Sequence, residues 1–155
     1  MLNVKDIVLV IFQFICFASF FLNVTWFKIE ALEHFIWFYI GLVGVVLIAI
    51  ALLQLNINLS PFPPPKVNSK LITNGAFKYI RHPIYSGILL FMFSFSLWLG
   101  DGFKLCISIV TLSFFYYKSS YEESLLETAF EAYDGYKKRQ VGFCRNFINQ
   151  CENHH

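Results

Sequence analysis

The chain has 155 residues, of which 57% are hydrophobic and 19% aromatic, while only 14% are charged. An ordinary soluble domain has about 25% charged residues, and a chain of this size has too small a core to bury so much apolar surface. The composition therefore excludes most soluble proteins and predicts one membrane domain, without room for a separate soluble catalytic domain. The net charge of +2 and the lack of a Lys/Arg-rich block interleaved with aromatics argue against a nucleic-acid partner.

Four apolar segments predict an all-α, polytopic membrane helix bundle with about four transmembrane helices. They cover residues 7–27, 35–55, 84–99 and 103–117. The first two are long enough to cross about 30 Å of hydrocarbon, whereas the last two need additional length from their flanks. The first segment is too long for the apolar part of a signal peptide. We therefore expect residues 1–55 to form two retained N-terminal spans.

The last two segments predict a helical hairpin over residues 84–117. Its turn is Gly100-Asp101-Gly102, in which glycine permits the positive φ of a tight reversal. The preceding residues 56–83 are predicted to form a loop, because four of the five prolines lie between residues 61 and 65. This proline run is either a spacer or a ligand for an SH3-type partner.

The distribution of Lys and Arg predicts the orientation of the bundle. Ten of the 12 basic residues fall on the side that holds both termini and the loop, so we expect that side to be cytoplasmic. The ten are Lys5, Lys66, Lys70, Lys78, Arg81, Lys118, Lys137, Lys138, Arg139 and Arg145. Beyond the fourth span, apolar residues recur at helical spacing and predict a cytoplasmic amphipathic helix that continues out of this span, within residues 118–147.

The cysteines and the small residues of the second span predict packing rather than chemistry. The four cysteines form no CxxC pair, so neither a disulfide nor a metal site is expected, although Cys144 and Cys151 precede two terminal histidines. Gly41 and Gly44, with two alanines further along the span, favour close contact with another helix.

Two polar clusters stand out from the apolar background, GAFKYIRHPIYSG at residues 75–87 and YEESLLETAFEAYDGY at residues 121–136. Each lies at the predicted cytoplasmic mouth of one arm of the hairpin, so folding should bring them together. We call the residues expected to converge the mouth cluster: Arg81, His82, Tyr85, Glu122 and Glu123.

The third helix is predicted to begin at Pro83, because proline is favoured in the first turn of a helix. The free N–H groups of that turn would form an anion site next to Arg81. Taken one at a time, these residues are also typical of simple membrane anchors, since Arg, His and Tyr often lie at the headgroups.

The order and spacing of these motifs resemble those of the isoprenylcysteine carboxyl methyltransferase family. The motifs are RHPxYxG at 81–87, preceded by NGAFKYI, then EExxLxxxF at 122–130 and YxxY at 133–136. The wider group of membrane phospholipid methyltransferases is similar. The resemblance extends over residues 55–147, although the closing VGFCRNF lacks the proline of the family's C-terminal tail.

The resemblance implies an integral membrane enzyme that takes S-adenosylmethionine from the cytosol and methylates a lipophilic acceptor in the bilayer. In this family the cofactor sits between the hairpin mouth and the C-terminal helix, which assigns a set of candidate cofactor-binding residues here. They are Phe77, Tyr79, Arg81, His82, Pro83, Tyr85, Gly87, Glu122 and Glu123.

Physical chemistry agrees with these assignments. The cofactor's carboxylate needs a cationic or N–H-rich partner, as offered by Arg81, His82 and the helix start. The sulfonium and adenine favour aromatic faces, and the ribose hydroxyls and ammonium favour carboxylates. Arg81, His82 and Glu123 are the candidate catalytic residues, with Glu123 or His82 as the base if the acceptor must lose a proton.

Two other functions remain open at this point. The first is a membrane reductase related to sterol reductases, which has a similar RHPxY-type mouth but binds NADPH. The second is a non-catalytic membrane adaptor that packs a partner and uses the mouth cluster only as anchors. The sequence does not distinguish a prenylated carboxylate from another lipid, a thiol or an amine as the acceptor, and it leaves the oligomeric state open.

Overall fold

A computed structural model describes residues 3–24, 26–30, 33–55, 73–130 and 133–139. Within these ranges the protein is helical, as predicted, and contains no strand beyond one isolated antiparallel bridge between Lys28 and Asp101. The proline run, the two C-terminal cysteines and the tail from residue 140 onward lie outside the described residues. The helices are α1 (Val4–Phe20), α2 (Ile36–Leu55), α3 (Pro83–Trp98), α4 (Gly102–Ala129) and α5 (Tyr133–Arg139), with a 3-10 turn at Gly75–Lys78.

The helices pack in the order α2, α3, α4 and α1, with α3 and α4 forming the predicted hairpin. The turn has the predicted positive φ at the first of its two glycines but not at the second. Gly100 has a φ of +58°, and Asp101 caps α4 by accepting hydrogen bonds from the N–H groups of Phe103 and Lys104. Gly102 is already helical, and the Phe27 ring packs against it so closely that a Cβ there would clash with the ring.

Helix α1 ends earlier than predicted: its last residue is Phe20, whereas the predicted first span ends at residue 27. The chain beyond α1 instead folds over the hairpin turn. Gly102 N–H donates to the Phe27 carbonyl at 3.0 Å, and Ile29 N–H donates to the Gly100 carbonyl at 2.8 Å. These hydrogen bonds pair backbone groups of residues 27 and 29 with those of the hairpin turn.

The small residues of α2 are used within the chain. A Cβ on Gly44 would lie 2.8 Å from the Gly87 carbonyl oxygen, and a Cβ on Gly87 would lie 2.8 Å from the Gly44 carbonyl oxygen. The backbones of α2 and α3 therefore touch at this crossing, as small residues allow.

Among the described residues, α2 is the helix that is both long and apolar enough to cross a membrane. Only 17% of its most apolar 18-residue window is buried, and Leu53 is 79% exposed. A core helix of a soluble protein would bury this surface. At about 1.5 Å per residue, α1 and α3 are only about 25 Å long, so the four-span bundle stays a prediction.

The helix that continues out of the predicted fourth span is broken at Phe130, where the sequence predicted no break. α4 runs unbroken from Gly102 to Ala129, about 42 Å, and carries the predicted fourth span directly into the second polar cluster. Phe130 is extended, with φ −134° and ψ 111°, and ends the helix. The separate helix α5 can therefore turn back against the start of α3.

Candidate active site

The start of α3 is held in place by the end of α2. Gly75 has a φ of +61°, and Ala76 N–H donates to Gln54 Oε1 at 2.9 Å. The chain then reaches His82, the N-cap of α3, and Pro83 in the first turn, as predicted. Arg81 and His82 are buried, at 5% and 9% exposure, so neither is a headgroup anchor exposed to solvent.

Glu123 is the most highly paired carboxylate of the mouth cluster. Its Oε1 lies 3.1 Å from Arg81 Nε and 3.3 Å from His82 Nε2, and its Oε2 lies 3.4 Å from Lys137 Nζ. Burial by itself would raise the pKa of Glu123, but the His82 hydrogen bond and the charges of Arg81 and Lys137 outweigh it and lower that pKa. Glu123 is therefore held as a carboxylate.

Glu122 has a different environment one residue earlier. Its Oε1 accepts a hydrogen bond from the Tyr85 hydroxyl at 2.6 Å and lies 3.8 Å from Lys118 Nζ, while its Oε2 lies 3.8 Å from His82 Nδ1. Burial raises the pKa of Glu122 above its ordinary value, and the nearby His82 and Lys118 offset only part of that rise. The two adjacent carboxyl groups thus differ in proton affinity.

His82 lies between the two carboxylates, with one ring nitrogen towards each. Its ring stacks on Tyr85 at a centroid distance of 5.6 Å, and Tyr85 stacks on Phe115 at 4.4 Å. Offset stacking of this kind orients flat side chains. The stack therefore fixes the plane of the His82 ring between the two carboxylates.

The guanidinium of Arg81 is paired with Glu123 but only partly hydrogen-bonded. Its Nη1 donates to the Lys137 carbonyl at 3.1 Å. Among the residues that the structure describes, no acceptor makes a hydrogen bond of good geometry with its buried Nε–H, although Glu123 Oε1 lies 3.1 Å away. A buried donor without a partner is rare in folded proteins and is often explained by a missing ligand or water.

Helix α5 closes the cluster from the C-terminal side. The Tyr136 hydroxyl donates to the Phe77 carbonyl at 2.6 Å, which ties α5 to the 3-10 turn before α3. Burial, as the main cause, raises the pKa of Tyr136 to about 12 and raises that of Tyr133 further. Both phenols are therefore neutral donors at physiological pH.

The structure brings together Arg81, His82, Tyr85, Glu122 and Glu123 as the sequence predicted, but it places other candidates elsewhere. Tyr79 is 67% exposed, with Lys78 against its ring. Gly87 faces α2, and its missing side chain serves the helix crossing. Pro83 is buried as the first residue of α3, and Phe77 contributes its carbonyl. Cofactor contact by these four residues stays a prediction.

Several residues that the sequence analysis did not select reach the site. Lys137 of α5 pairs with Glu123, and Lys118 of α4 lies against Glu122 and against Gln13 of α1. The spacing of four residues puts Lys118 and Glu122 on one helix face, so the sequence alone indicates this contact. Gln13 is also detectable from the sequence, because it is an amide within an apolar segment.

An apolar groove of about 230 Å³ lies at the opposite end of the α2–α3 pair, away from the mouth cluster. It lies next to the aromatic end of α3 and the beginning of α2, and it carries no titratable group. Its lining residues are Trp37, Phe38, Gly41, Leu42, Val45, Phe91, Phe95 and Trp98. The groove therefore takes no part in the chemistry of the cluster.

The sequence model of one protein family, described as phospholipid methyltransferase, matches residues 7–133 of the chain. The match covers most of the chain and includes both polar clusters up to Tyr133. No curated protein and no solved structure matches the chain.

Proposed function

The chain belongs to the phospholipid methyltransferase family, which includes the isoprenylcysteine carboxyl methyltransferases, and we propose that it is an S-adenosylmethionine-dependent methyltransferase. Its acceptor would be lipophilic and would be methylated at the cytosolic face of a membrane. The observation that carries the proposal is the buried convergence of Arg81, His82 and Tyr85 with Glu122 and Glu123 from a separate helix.

The chemistry of the cluster fits the cofactor. The guanidinium of Arg81 is a cationic donor of the kind that suits the cofactor's carboxylate. Glu122 and Glu123 are acceptors suited to ribose hydroxyls and to an ammonium group. The stacked rings of His82, Tyr85 and Phe115 supply aromatic surface, which favours a sulfonium and an adenine.

When bound, S-adenosylmethionine would supply a methyl group on a positively charged sulfur. The chain's own residues would then align and desolvate the reacting groups, because an in-line displacement that neutralises a charge gains from both. The side chains of Arg81 and Glu123 are only 2% and 8% exposed, so water is largely excluded around them.

A general base is needed only for some methyl acceptors. A carboxylate acceptor is already a nucleophile, whereas a thiol or an amine must first lose a proton. His82 is the better-placed base, because its two nitrogens face Glu122 and Glu123 and either carboxylate would stabilise the ring after it takes a proton. Glu123 itself is a weak base, since its surroundings lower its pKa.

The proposed topology has four spans with both termini in the cytoplasm. It is supported by the basic side of the chain, where ten of the 12 Lys and Arg residues fall, and by the position of the mouth cluster at that end of the hairpin. The apolar outer surface, with Val43 60% and Phe14 58% exposed, is suited to hydrocarbon. A site at the end of such a bundle is accessible to an acceptor whose tail remains in the bilayer.

Family membership favours a methyltransferase over the NADPH-dependent reductase and the non-catalytic adaptor. Calorimetric titration of the detergent-purified protein with S-adenosylmethionine and, separately, with NADPH would test all three. We expect binding of S-adenosylmethionine alone. Binding of NADPH alone would favour the reductase, and binding of neither would contradict both enzymatic functions.

A matched pair of variants links binding to the cluster. Glu122→Gln should weaken the binding of S-adenosylmethionine about tenfold or more, because a charge-assisted hydrogen bond to the cofactor is lost. Glu127→Gln makes the same chemical change on the same helix at a residue that is 41% exposed, and should leave affinity unchanged. Incubation of membranes with methyl-labelled cofactor, followed by profiling of labelled lipids, would then identify the acceptor.

A further inference from the structure

Lys118 is a buried lysine beside the mouth cluster that the proposed chemistry does not use. Its side chain is only 1% exposed and lies where α4 leaves the predicted fourth span. A lysine at a membrane boundary usually extends its ammonium into the headgroup region. An ammonium that is buried instead is costly unless partners compensate it, and it commonly marks a functional position.

Within the part of the chain that the structure describes, three helices contribute to the surroundings of Lys118. Its Nζ donates to Gln13 Oε1 of α1 at 2.6 Å, lies 3.8 Å from Glu122 Oε1 on its own helix, and lies 5.4 Å from the ring centre of Tyr85 on α3. Tyr85 in turn donates its hydroxyl to the same carboxylate oxygen. Lys118 and Tyr85 therefore approach Glu122 together.

A second buried lysine on α4 shows what a purely structural arrangement looks like. Lys104 Nζ donates to the Leu22 carbonyl at 2.9 Å and lies 3.5 Å from Asp101 Oδ2. These contacts fasten the segment after α1 to the hairpin turn, at the end opposite the cluster. Lys118 differs because its acidic partner, Glu122, belongs to the mouth cluster.

We propose that Lys118 is a positioning residue of the methyl-transfer site, which holds Glu122 as an ionised acceptor, and that Gln13 of α1 aims its ammonium. The inference rests on the proposed function, in which Glu122 accepts hydrogen bonds from the cofactor. It assigns α1 a role in the site that neither sequence motif contains.

The charges around Glu122 determine the direction of the expected effect. His82 and Tyr85 face it from the α3 side, Lys118 and Glu123 face it from α4, and α1 contributes the neutral Gln13 behind Lys118. Burial raises the pKa of Glu122, and the positive charge of Lys118 opposes that rise. Removal of this charge therefore raises the pKa further, so that Glu122 is protonated up to a higher pH.

The test measures the affinity of the full chain in detergent for S-adenosylmethionine as a function of pH. In Lys118→Met, we expect the acid limb of the affinity profile to shift upward by about 1 pH unit or more, with recovery of affinity at high pH. Lys118→Arg keeps the positive charge and should restore the limb close to its original position. The His82, Tyr85 and Glu123 side chains are unaltered in every variant, so the comparison of Lys118→Met with Lys118→Arg isolates the charge at residue 118.

A second variant keeps the test decisive if Lys118→Met does not fold. Gln13→Glu places a carboxylate beside Lys118 Nζ and competes for its charge, and should shift the acid limb in the same direction. An unshifted limb in a folded variant, with affinity lowered equally at every pH, would show that Lys118 is only a structural anchor. If the unaltered chain binds no S-adenosylmethionine at any pH, the proposed function itself fails, which is a different result.

Discussion

The substitution Glu123→Gln tests whether the mouth cluster is a buried ion network or a set of weak contacts. The change is nearly isosteric, but it removes the negative charge that faces Arg81, His82 and Lys137. An amide can keep an oxygen towards Arg81 and His82 only by turning its NH₂ group towards the Lys137 ammonium. The guanidinium of Arg81 then stays buried without an opposing charge.

The expected cost follows from the burial of this network. Removal of one partner of a buried ion pair costs about 3–5 kcal/mol. We expect the lower end, about 3 kcal/mol, because Arg81 Nη1 keeps the Lys137 carbonyl and Lys137 keeps Glu127. For a chain of this size the midpoint of thermal unfolding should fall by about 6–12 °C.

The assay is thermal unfolding in a fixed detergent, with Glu127→Gln as the matched control. Glu127 also pairs with Lys137 from α4 but is 41% exposed, and exposed pairs contribute at most about 1 kcal/mol. The control should therefore shift the midpoint by no more than about 4 °C. Equal shifts for the two variants would refute the reasoning, because burial would then make no difference.

Three further predictions concern packing, a helix tether and pH. Gly87→Ala puts a Cβ 2.8 Å from a backbone carbonyl oxygen of α2 and should lower the free energy of unfolding by about 1–3 kcal/mol. In the control Gly41→Ala the new Cβ lies 3.5 Å from its nearest neighbour, so the same unfolding assay should show little change. Tyr136→Phe leaves the Phe77 carbonyl without its donor and should lower the free energy of unfolding, measured with denaturant, by about 1–3 kcal/mol. An unchanged free energy would show that this hydrogen bond does not hold α5 in place. Folding lowers the pKa of Glu123, so the ionised carboxylate stabilises the folded chain. This contribution to the free energy of unfolding is present above about pH 4.5 and is lost as the pH falls. The stability gap between the unaltered chain and Glu123→Gln should therefore narrow on acidification, and a gap independent of pH would contradict the shift.

Much of the architecture could be predicted from the chain alone. The bounds of α2 and α3 agree with the predicted segments to within one residue, because a long apolar run and a proline in the first turn are local signals. The reversal at Gly100 and Asp101 is also local, since it depends on a positive φ and a helix cap. The convergence of Arg81 and His82 with the two glutamates followed once the hairpin was predicted.

Other features depended on how the helices meet. Nothing in the apolar run of residues 7–27 marks its end at Phe20, because that end is set by the segment that returns over the hairpin turn. Gly87 lies within a motif that predicted cofactor contact, but the neighbouring backbone of α2 gives it a packing role. Tyr79 likewise lies beside the motif in sequence, yet its ring is exposed.

The sequence by itself determined the membrane class, the helical hairpin and the acidic and basic residues at its mouth, because composition, periodicity and turn chemistry are properties of neighbouring residues. Only the tertiary structure decided that the two glutamates have different surroundings and that Lys118 and Gln13 reach one of them. Those surroundings come from helices α1, α3 and α5, which are far from α4 in sequence. Ion pairing and burial act through space, and they therefore distinguish two glutamates that are adjacent in the chain.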